Sequence, residues 1–255
     1  RSPIISKIKQ YRKLQDPRKR DNSPTLLDFG AVQFLIARHF GFCYGVENAI
    51  EISFKALDEN PGKRIFLLSQ MIHNPDVNND LIERGVQFLQ DTNGNQLISF
   101  DTLTPDDVVI IPAFGAPLDI IALLESKQIK TEAYNTTCPF VERVWKKSES
   151  IGKDNYTIII HGKHNHEETK ATFSRSDKHN KAIIVRDIAE AKLLAEYILG
   201  NKTKEQFAID FKGRYSENLD LVKDLQRVGV INQTTMLASE TQEIADYFKT
   251  VMLEK

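Results

Sequence analysis

The 255-residue chain has few cysteines, no excess of either charge and no long apolar run, and each shortage removes a class of protein. Its two cysteines, Cys43 and Cys138, stand 95 positions apart, a spacing that fits neither a zinc ribbon nor a CxxC redox pair. Thiols this sparse suit a reducing, cytoplasm-like compartment, where they serve structure, metal or catalysis. Lys and Arg number 34 against 35 Asp and Glu, so no basic or acidic field points to nucleic acid or to a membrane surface as a partner. The most apolar stretch, 108–124, is broken by Pro112, Gly115, Pro117 and Asp119, so it reads as a buried strand, a turn and a helix and not as about 20 unbroken apolar residues. No secretory signal is visible, and the chain starts at Arg1. GxGxxG and Walker signatures are absent too. What remains is the composition of a folded globular protein, 41% hydrophobic and 27% charged.

Residues 1–30 differ from the rest, with eight Lys/Arg against three Asp, prolines at 3, 17 and 24, and little hydrophobic periodicity. They are expected to form an arm. From residue 31, strand-like apolar runs at 33–37, 64–68, 108–111, 131–135, 157–161, 182–186 and 227–232 alternate with helical patterns. The helical patterns are 45–57, 76–84, 118–126, 141–151, 188–199 and 241–253, while 200–220 is thin in apolar residues and reads as a loop or insertion. Alternating β and α predicts an α/β fold of parallel sheets with crossover helices. The order of elements after Cys43 resembles that after Cys138, which suggests a pseudo-duplication of two small α/β units, 31–138 and 139–255.

Nearly every predicted strand runs into a small polar cluster. The first leads to His39, Gly41 and Cys43, and the second to His73 and Asn74. The next two lead to Phe114-Gly115 and to Thr136-Thr137-Cys138-Pro139. Strand 157–161 leads to Gly162 and then His164, His166, Glu167 and Glu168, and the last strand to Gln233-Thr234-Thr235. Ligands of parallel α/β sheets bind beyond the carboxyl ends of strands, where loops and helix N-termini converge, so these clusters predict one shared site suited to an anion such as a phosphate. Plainer uses stand beside that one. The threonines serve as N-caps elsewhere, His73-Asn74-Pro75 also opens a helix, and isolated cysteines are often structural. Both cysteines, however, precede a helix, whose N-terminus favours the metal-binding thiolate.

Taken together, the motifs resemble those of the 4-hydroxy-3-methylbut-2-enyl diphosphate reductases, the IspH/LytB family. Gly41-Phe42-Cys43-Tyr44-Gly45-Val46, Ile72-His73-Asn74-Pro75, Thr137-Cys138-Pro139, His166-Glu167-Glu168 with Thr172, and Gln233-Thr234-Thr235 occur in the family's order. The resemblance implies a [4Fe–4S] cluster with Cys43 and Cys138 among its three cysteine ligands, converging on one cleft. It further implies His73 and His166 on the substrate diphosphate, with Asn74 and Gln233 beside them, Thr234 near the substrate hydroxyl, and Glu168 as the proton donor. The allylic diphosphate is the implied substrate, and a redox protein such as ferredoxin the implied electron donor. The implied location is the cytoplasm, or the plastid stroma in a plastid-bearing source. Two departures stand out. Phe114-Gly115 replaces a His-Gly pair, as in the plastid and cyanobacterial-like branch. The family's third α/β unit, with its third cysteine and a Ser/Asn-rich loop, has no counterpart here, which suggests an inactive fragment. Two other readings stay open: a mononuclear metal hydrolase using His161, His164, His166 and Glu168, and a non-catalytic diphosphate-binding domain.

Overall fold

The computed structural model describes residues 3–17, 20–38 and 41–255; His39 lies outside the described residues. The chain forms two compact units, Arg1–Cys43 and Tyr44–Lys255.

In the first unit, α1 (Pro3–Gln15) is followed by β1 (Thr25–Asp28) and β2 (Gln33–Ile36), which pair antiparallel with Thr25 opposite Ile36 and Asp28 opposite Gln33. Gly30, in the left-handed region at φ 79°, makes the turn, and its N–H donates to Asp28 Oδ1 at 2.8 Å. Arg12 ties the helix to the hairpin: Nε donates to Thr25 Oγ1 (2.7 Å) and Nη1 to the carbonyls of Ala37 (2.8 Å) and Arg38 (2.9 Å). The strand expected at 33–37 therefore exists, but in a hairpin with the preceding segment and not in a parallel sheet. Residues 3–15, within the expected arm, are helical.

The second unit holds two three-stranded parallel sheets. The first has β3 (Ile65–Leu67) at its centre, with β4 (Gln87–Phe88) on one side and β5 (Val108–Ile110) on the other. The second has β6 (Thr157–His161) at its centre, flanked by β7 (Ala182–Val185) and β8 (Val228–Asn232). Both sheets thus run second–first–third. Their central strands are buried along their whole length, as parallel strands covered on two faces must be. In the first sheet Ile65, Leu67 and Ile110 pack with Ala49 of α2 (Tyr44–Glu59) and Leu81 of α3 (Pro75–Glu83). Phe66, Val109 and Ile111 pack with Leu124 of α4 (Leu118–Ser126). In the second sheet Ile158 and Ile160 pack with Val144 of α5 (Pro139–Lys153) and Phe173 of α6 (Glu167–His179). Ile159 and Ile183, pointing the other way, pack with Leu194 of α7 (Ile188–Ile198) and with Phe248.

Two expectations need correction. Residues 131–135 contribute only an isolated bridge, Asn135 to Ile111, because Ala133 N–H closes a turn onto the Lys130 carbonyl. The stretch 200–220 is not a plain loop: it contains α8 (Lys204–Asp210), started by a capping box between Thr203 and Gln206. Its Phe207, and Phe211 four residues on, are buried and stack with centroids 5.0 Å apart. The chain then ends in α9 (Ala238–Glu254). Among the described residues, no helix is long and apolar enough to cross a membrane.

Candidate functional site

In each sheet of the second unit the chain leaves the central strand to one side and then to the other, so a crevice opens between the loops that follow the first and third strands. Those loops carry the predicted residues. His73 follows β3 and Phe114 follows β5; His166 and Glu168 follow β6, and Gln233 and Thr234 follow β8.

The two crevices meet through three rings. His73 Nε2 and His166 Nε2 lie 3.1 Å apart, Phe114 stacks on His73 with centroids 4.5 Å apart at 28°, and Phe114 meets His166 edge-on at 5.3 Å. The Glu168 N–H donates to His166 Nδ1 at 3.2 Å, making His166 the N-cap of α6. A ring that accepts at Nδ1 carries its proton on Nε2 when neutral, so His166 donates to His73, whose Nε2 is the acceptor. Burial, helped by the charges of His73 and Lys163, lowers the His166 pKa to about 4, and burial lowers that of His73 as well. Both imidazoles are therefore neutral at pH 7 without a ligand. An anion entering between them would raise both pKa values and favour their taking up protons from solvent.

The loop bearing His73 is held from within its own sheet. Asn78, buried on α3, accepts from Met71 N–H (3.1 Å) and donates to the Ile72 carbonyl (2.9 Å). Asn74 caps α3, its Oδ1 accepting from Val77 N–H at 3.2 Å. Ala113 joins neighbouring loops, its N–H donating to the Met71 carbonyl (3.3 Å) and its carbonyl accepting from Cys138 N–H (2.9 Å). The polar atoms of Thr136 are satisfied locally, Oγ1 donating to the Ile111 carbonyl at 2.6 Å.

Glu168 is buried in the first turn of α6. Its Oε1 accepts from Thr234 N–H, and its Oε2 faces the Thr234 hydroxyl at 2.8 Å. Burial raises its pKa, against the lowering effect of both Thr234 donors, so the site favours a carboxyl that keeps its proton. Gln233 is buried behind it and binds the protein itself: Oε1 accepts from Lys163 N–H (3.1 Å) and Thr169 Oγ1 (3.0 Å). Gly162 is required at that place, since a Cβ there would crowd Thr169 and Gln233.

Cys138 is the N-cap of α5 and a free thiol; its sulfur faces the first turn of α2, where a Cβ on Gly45 would overlap it. Cys43 is a free, exposed cysteine that closes the first unit. Among the described residues, no three His, Cys, Asp or Glu side chains are grouped to hold a metal ion. The hydrolase reading fails on this point: His161 is sealed in the core with Nδ1 bonded to Thr241 Oγ1 (2.8 Å), and His164 is exposed. The region 161–168 is also not all loop, since both glutamates begin α6.

Sequence reasoning gave no role to Asn78. A buried asparagine three residues into an exposed-looking helix start leaves no signal in a single sequence.

Two parallel sheets of one strand order, with imidazoles and a buried carboxyl on the loops at their strand ends, define an α/β protein of the kind that binds ligands at switch points. Residues 34–254 match the LytB protein family, and the chain belongs to it. It is 42% identical over 226 residues to the 4-hydroxy-3-methylbut-2-enyl diphosphate reductase of Crocosphaera subtropica, covering 89% of this chain and 54% of that protein. It is likewise 42% identical over 234 residues to the reductase of the same name from Gloeothece citriformis, covering 92% of this chain and 56% of that protein. The chain thus spans about half the length of the curated relatives it matches. Among solved structures, the E-1-hydroxy-2-methyl-but-2-enyl-4-diphosphate reductase from Plasmodium falciparum shares the fold at a TM-score of 0.60 and 22% identity, covering 82% of this chain and 54% of that one. A second structure, of (E)-4-hydroxy-3-methyl-but-2-enyl diphosphate reductase, gives a TM-score of 0.57 at 24% identity, covering 82% of this chain and 61% of that one.

Proposed function

We propose that the site serves the reductive removal of the hydroxyl from 4-hydroxy-3-methylbut-2-enyl diphosphate, giving isopentenyl and dimethylallyl diphosphate. The balance is R–OH plus two electrons and two protons to R–H plus water. The observation that supports it best is the buried Glu168 carboxyl held by Thr234 beside a pair of convergent imidazoles. It joins a proton donor to an anion grip at one set of strand ends.

In this reading His73 and His166 part to take the diphosphate, each presenting Nε2–H, while Asn74 and Gln233 hold the loops that carry the grip. Thr234 places its hydroxyl between the Glu168 carboxyl and the substrate hydroxyl. Glu168, whose pKa burial raises, passes its proton to the departing oxygen, which leaves as water. Phe114 walls the grip on the side where a third histidine is absent.

The Cys138 environment suits an iron–sulfur cluster ligand: its sulfur sits at the N-terminus of α5 and against that of α2, and the positive ends of both helices favour a thiolate. Cys138 and Cys43 would be two of the ligands, and the relatives' greater length leaves room for a third unit bearing the third cysteine and a Ser/Asn loop. When bound, a [4Fe–4S] cluster supplies electrons and a Lewis-acidic iron for the hydroxyl. The expected electron donor is a small redox protein such as ferredoxin, and the expected location is the cytoplasm or the plastid stroma. The domain division that goes with this reading is an N-terminal arm to residue 30, then α/β units at 31–138 and 139–255.

The test is anaerobic expression from the full reading frame, with iron analysis and substrate reduction by a strong chemical reductant. Iron near four per chain and turnover support the reading. Zinc without iron overturns it. Pyrophosphate binding by an iron-loaded protein with no turnover points instead to a non-catalytic diphosphate-binding domain.

A further inference from the structure

The loop after β5 carries Phe114, the ring that faces both histidines. Among the described residues, the hydrogen bond to the His73 ring is the one from His166, so the plane of His73 is set largely by its stacking on Phe114. What holds Phe114 therefore bears on the grip. On one side of it, Ala113 gives its carbonyl to Cys138 N–H at 2.9 Å. On the other side Gly115 closes a turn, its N–H donating to the Pro112 carbonyl at 2.9 Å, with φ at 78°. The indole edge of Trp145 lies directly on that glycine. A Cβ at 115 would stand 2.5 Å from Cη2 and 2.6 Å from Cζ2, so the ring fills the space that a side chain would need.

Trp145 belongs to α5, but α6 fixes its ring. Nε1 donates to Thr172 Oγ1 at 3.0 Å, and the Arg175 guanidinium lies over the indole face, 3.8 Å from a ring centroid. Positions 172 and 175 share one face of α6, the helix that His166 caps. The same helix bridges to the first-sheet half directly. Ser174 Oγ accepts from Leu118 N–H at 2.9 Å, three residues past Gly115, and Lys170 Nζ donates to the Asn93 carbonyl at 2.7 Å. Helix α6 thus starts at one ring of the grip and, farther along, fixes the indole that backs the loop of another.

We propose that Trp145 is a positioning residue that, braced by Thr172 and Arg175 and pressed on Gly115, seats Phe114 against His73 and His166 in the geometry that receives a diphosphate. The inference rests on the reading of the two imidazoles as the diphosphate grip. It assigns Trp145 no contact with the substrate.

The experiment uses the whole chain as wild type, Trp145→Phe, Gly115→Ala, the Trp145→Phe/Gly115→Ala pair, Thr172→Val and Thr172→Ser. Phe114→Leu serves as the reference without the stacked ring. Proton NMR of the His73 ring reads the seat, because a ring stacked on it moves its protons upfield. Inorganic pyrophosphate is the binding probe. In Trp145→Phe the smaller ring leaves Gly115 unsupported, so the His73 shifts move toward those of Phe114→Leu. Pyrophosphate affinity falls roughly three- to tenfold, the usual size of coupling between contacting residues. Gly115→Ala does the same by collision. An alanine at 115 is also strained by the positive φ, but that cost is common to both backgrounds and cancels between them. In the pair the added methyl occupies space the indole has left, so Gly115→Ala is milder there than in the wild-type background. Thr172→Val gives a smaller change in the same direction, and Thr172→Ser, which keeps the hydroxyl, matches the wild type. A Trp145→Phe chain that loses thermal stability with unchanged His73 shifts would make Trp145 an ordinary packing ring and overturn the proposal. Fully additive effects in the pair would overturn it as well. Should Trp145→Phe fail to fold, Thr172→Val and its rescue by Thr172→Ser carry the same reading. A wild-type chain that ignores pyrophosphate would count against the diphosphate reading alone, because the His73 shifts still decide the seat.

Discussion

The two sheets of the second unit share one strand order, yet their crevices hold different chemistry. The β3/β5 crevice offers His73 and Phe114, rings at the surface with little hydrogen bonding to fix them. The β6/β8 crevice offers Glu168 and Thr234, a buried carboxyl locked by two donors. A grip on a charged group works best where water and ligand can enter. A carboxyl holds its proton to higher pH where burial penalises its charge. The shared strand order gives two similar openings with different side chains, and His166 is the residue that touches both sides.

The largest expected effect breaks the buried half. In protein from the full reading frame, Glu168→Gln keeps the bond to the Thr234 hydroxyl but has no proton to give. Turnover should fall by about 10²- to 10⁴-fold, the usual worth of general acid catalysis, with pyrophosphate affinity nearly unchanged. Steady-state turnover alongside a pyrophosphate titration checks this, and near-normal turnover would move the proton to another group.

Breaking the open half should do the converse. His73→Ala removes a charge-assisted donor worth about 1.5–3 kcal/mol, so pyrophosphate affinity should drop by about tenfold or more. Glu168 should remain bonded to Thr234, and calorimetry together with thermal unfolding would show an affinity loss without a comparable loss of stability.

A third variant tests the packing behind Cys138. Gly45→Ala places a methyl group on the Cys138 sulfur. Overpacking of this kind costs about 1–3 kcal/mol, read as a lower denaturation midpoint, whereas Gly62→Ala, with open space around it, should lack the clash. Gly62 still carries a positive φ of 79°, so only the difference between the two variants reports on the sulfur.

The smallest effect is on the pH dependence of stability. His166, lowered to about 4, stays neutral in the folded chain, while the unfolded chain takes up its proton below about 6.5; stability from this group is lost as pH falls through that window. Glu167, raised to about 7 from 4.5, works with opposite sign: stability is lost as pH rises from 4.5 through 7. Glu168 acts like Glu167, and His73 and His161 act like His166. Glu167→Gln deletes one of the opposing slopes. Between pH 5 and 6.5 its stability should therefore rise with pH more steeply than the wild type's, by at most about 1.4 kcal/mol per pH unit and less for a partly exposed group. Denaturant midpoints measured across that range decide it, and parallel profiles would remove Glu167 from the balance.

The elements legible in the sequence were those with strong local signals. Strand 157–161 and helix 118–126 agree with β6 and α4 to the residue, because an unbroken Ile run and a Pro-bounded apolar helix have few competing solutions. Helix α6 was missed. Its buried side chains are Thr169, Ala171, Thr172 and Ser176 along with Glu168, so the face it buries is small and polar and carries no hydrophobic period. Helix α8 was missed for the related reason that two phenylalanines are too few to stand out in a polar stretch. Of the candidate site, the histidines, Glu168 and Thr234 were visible as unusual residues at strand ends. The internal work of Asn78, Asn74 and Gln233 was not, since which polar groups a side chain satisfies depends on neighbours distant in the chain.

The sequence by itself determined the α/β class, the central strands and the inventory of groups at their carboxyl ends, because hydrophobic period and strand-to-helix punctuation are local properties. Only the tertiary structure decided which groups meet. It set His73 against His166 across 93 positions and Glu168 against Thr234 across 66. Such pairings follow from how two sheets and one bridging helix pack, and packing is a property of the whole unit that no window of residues contains.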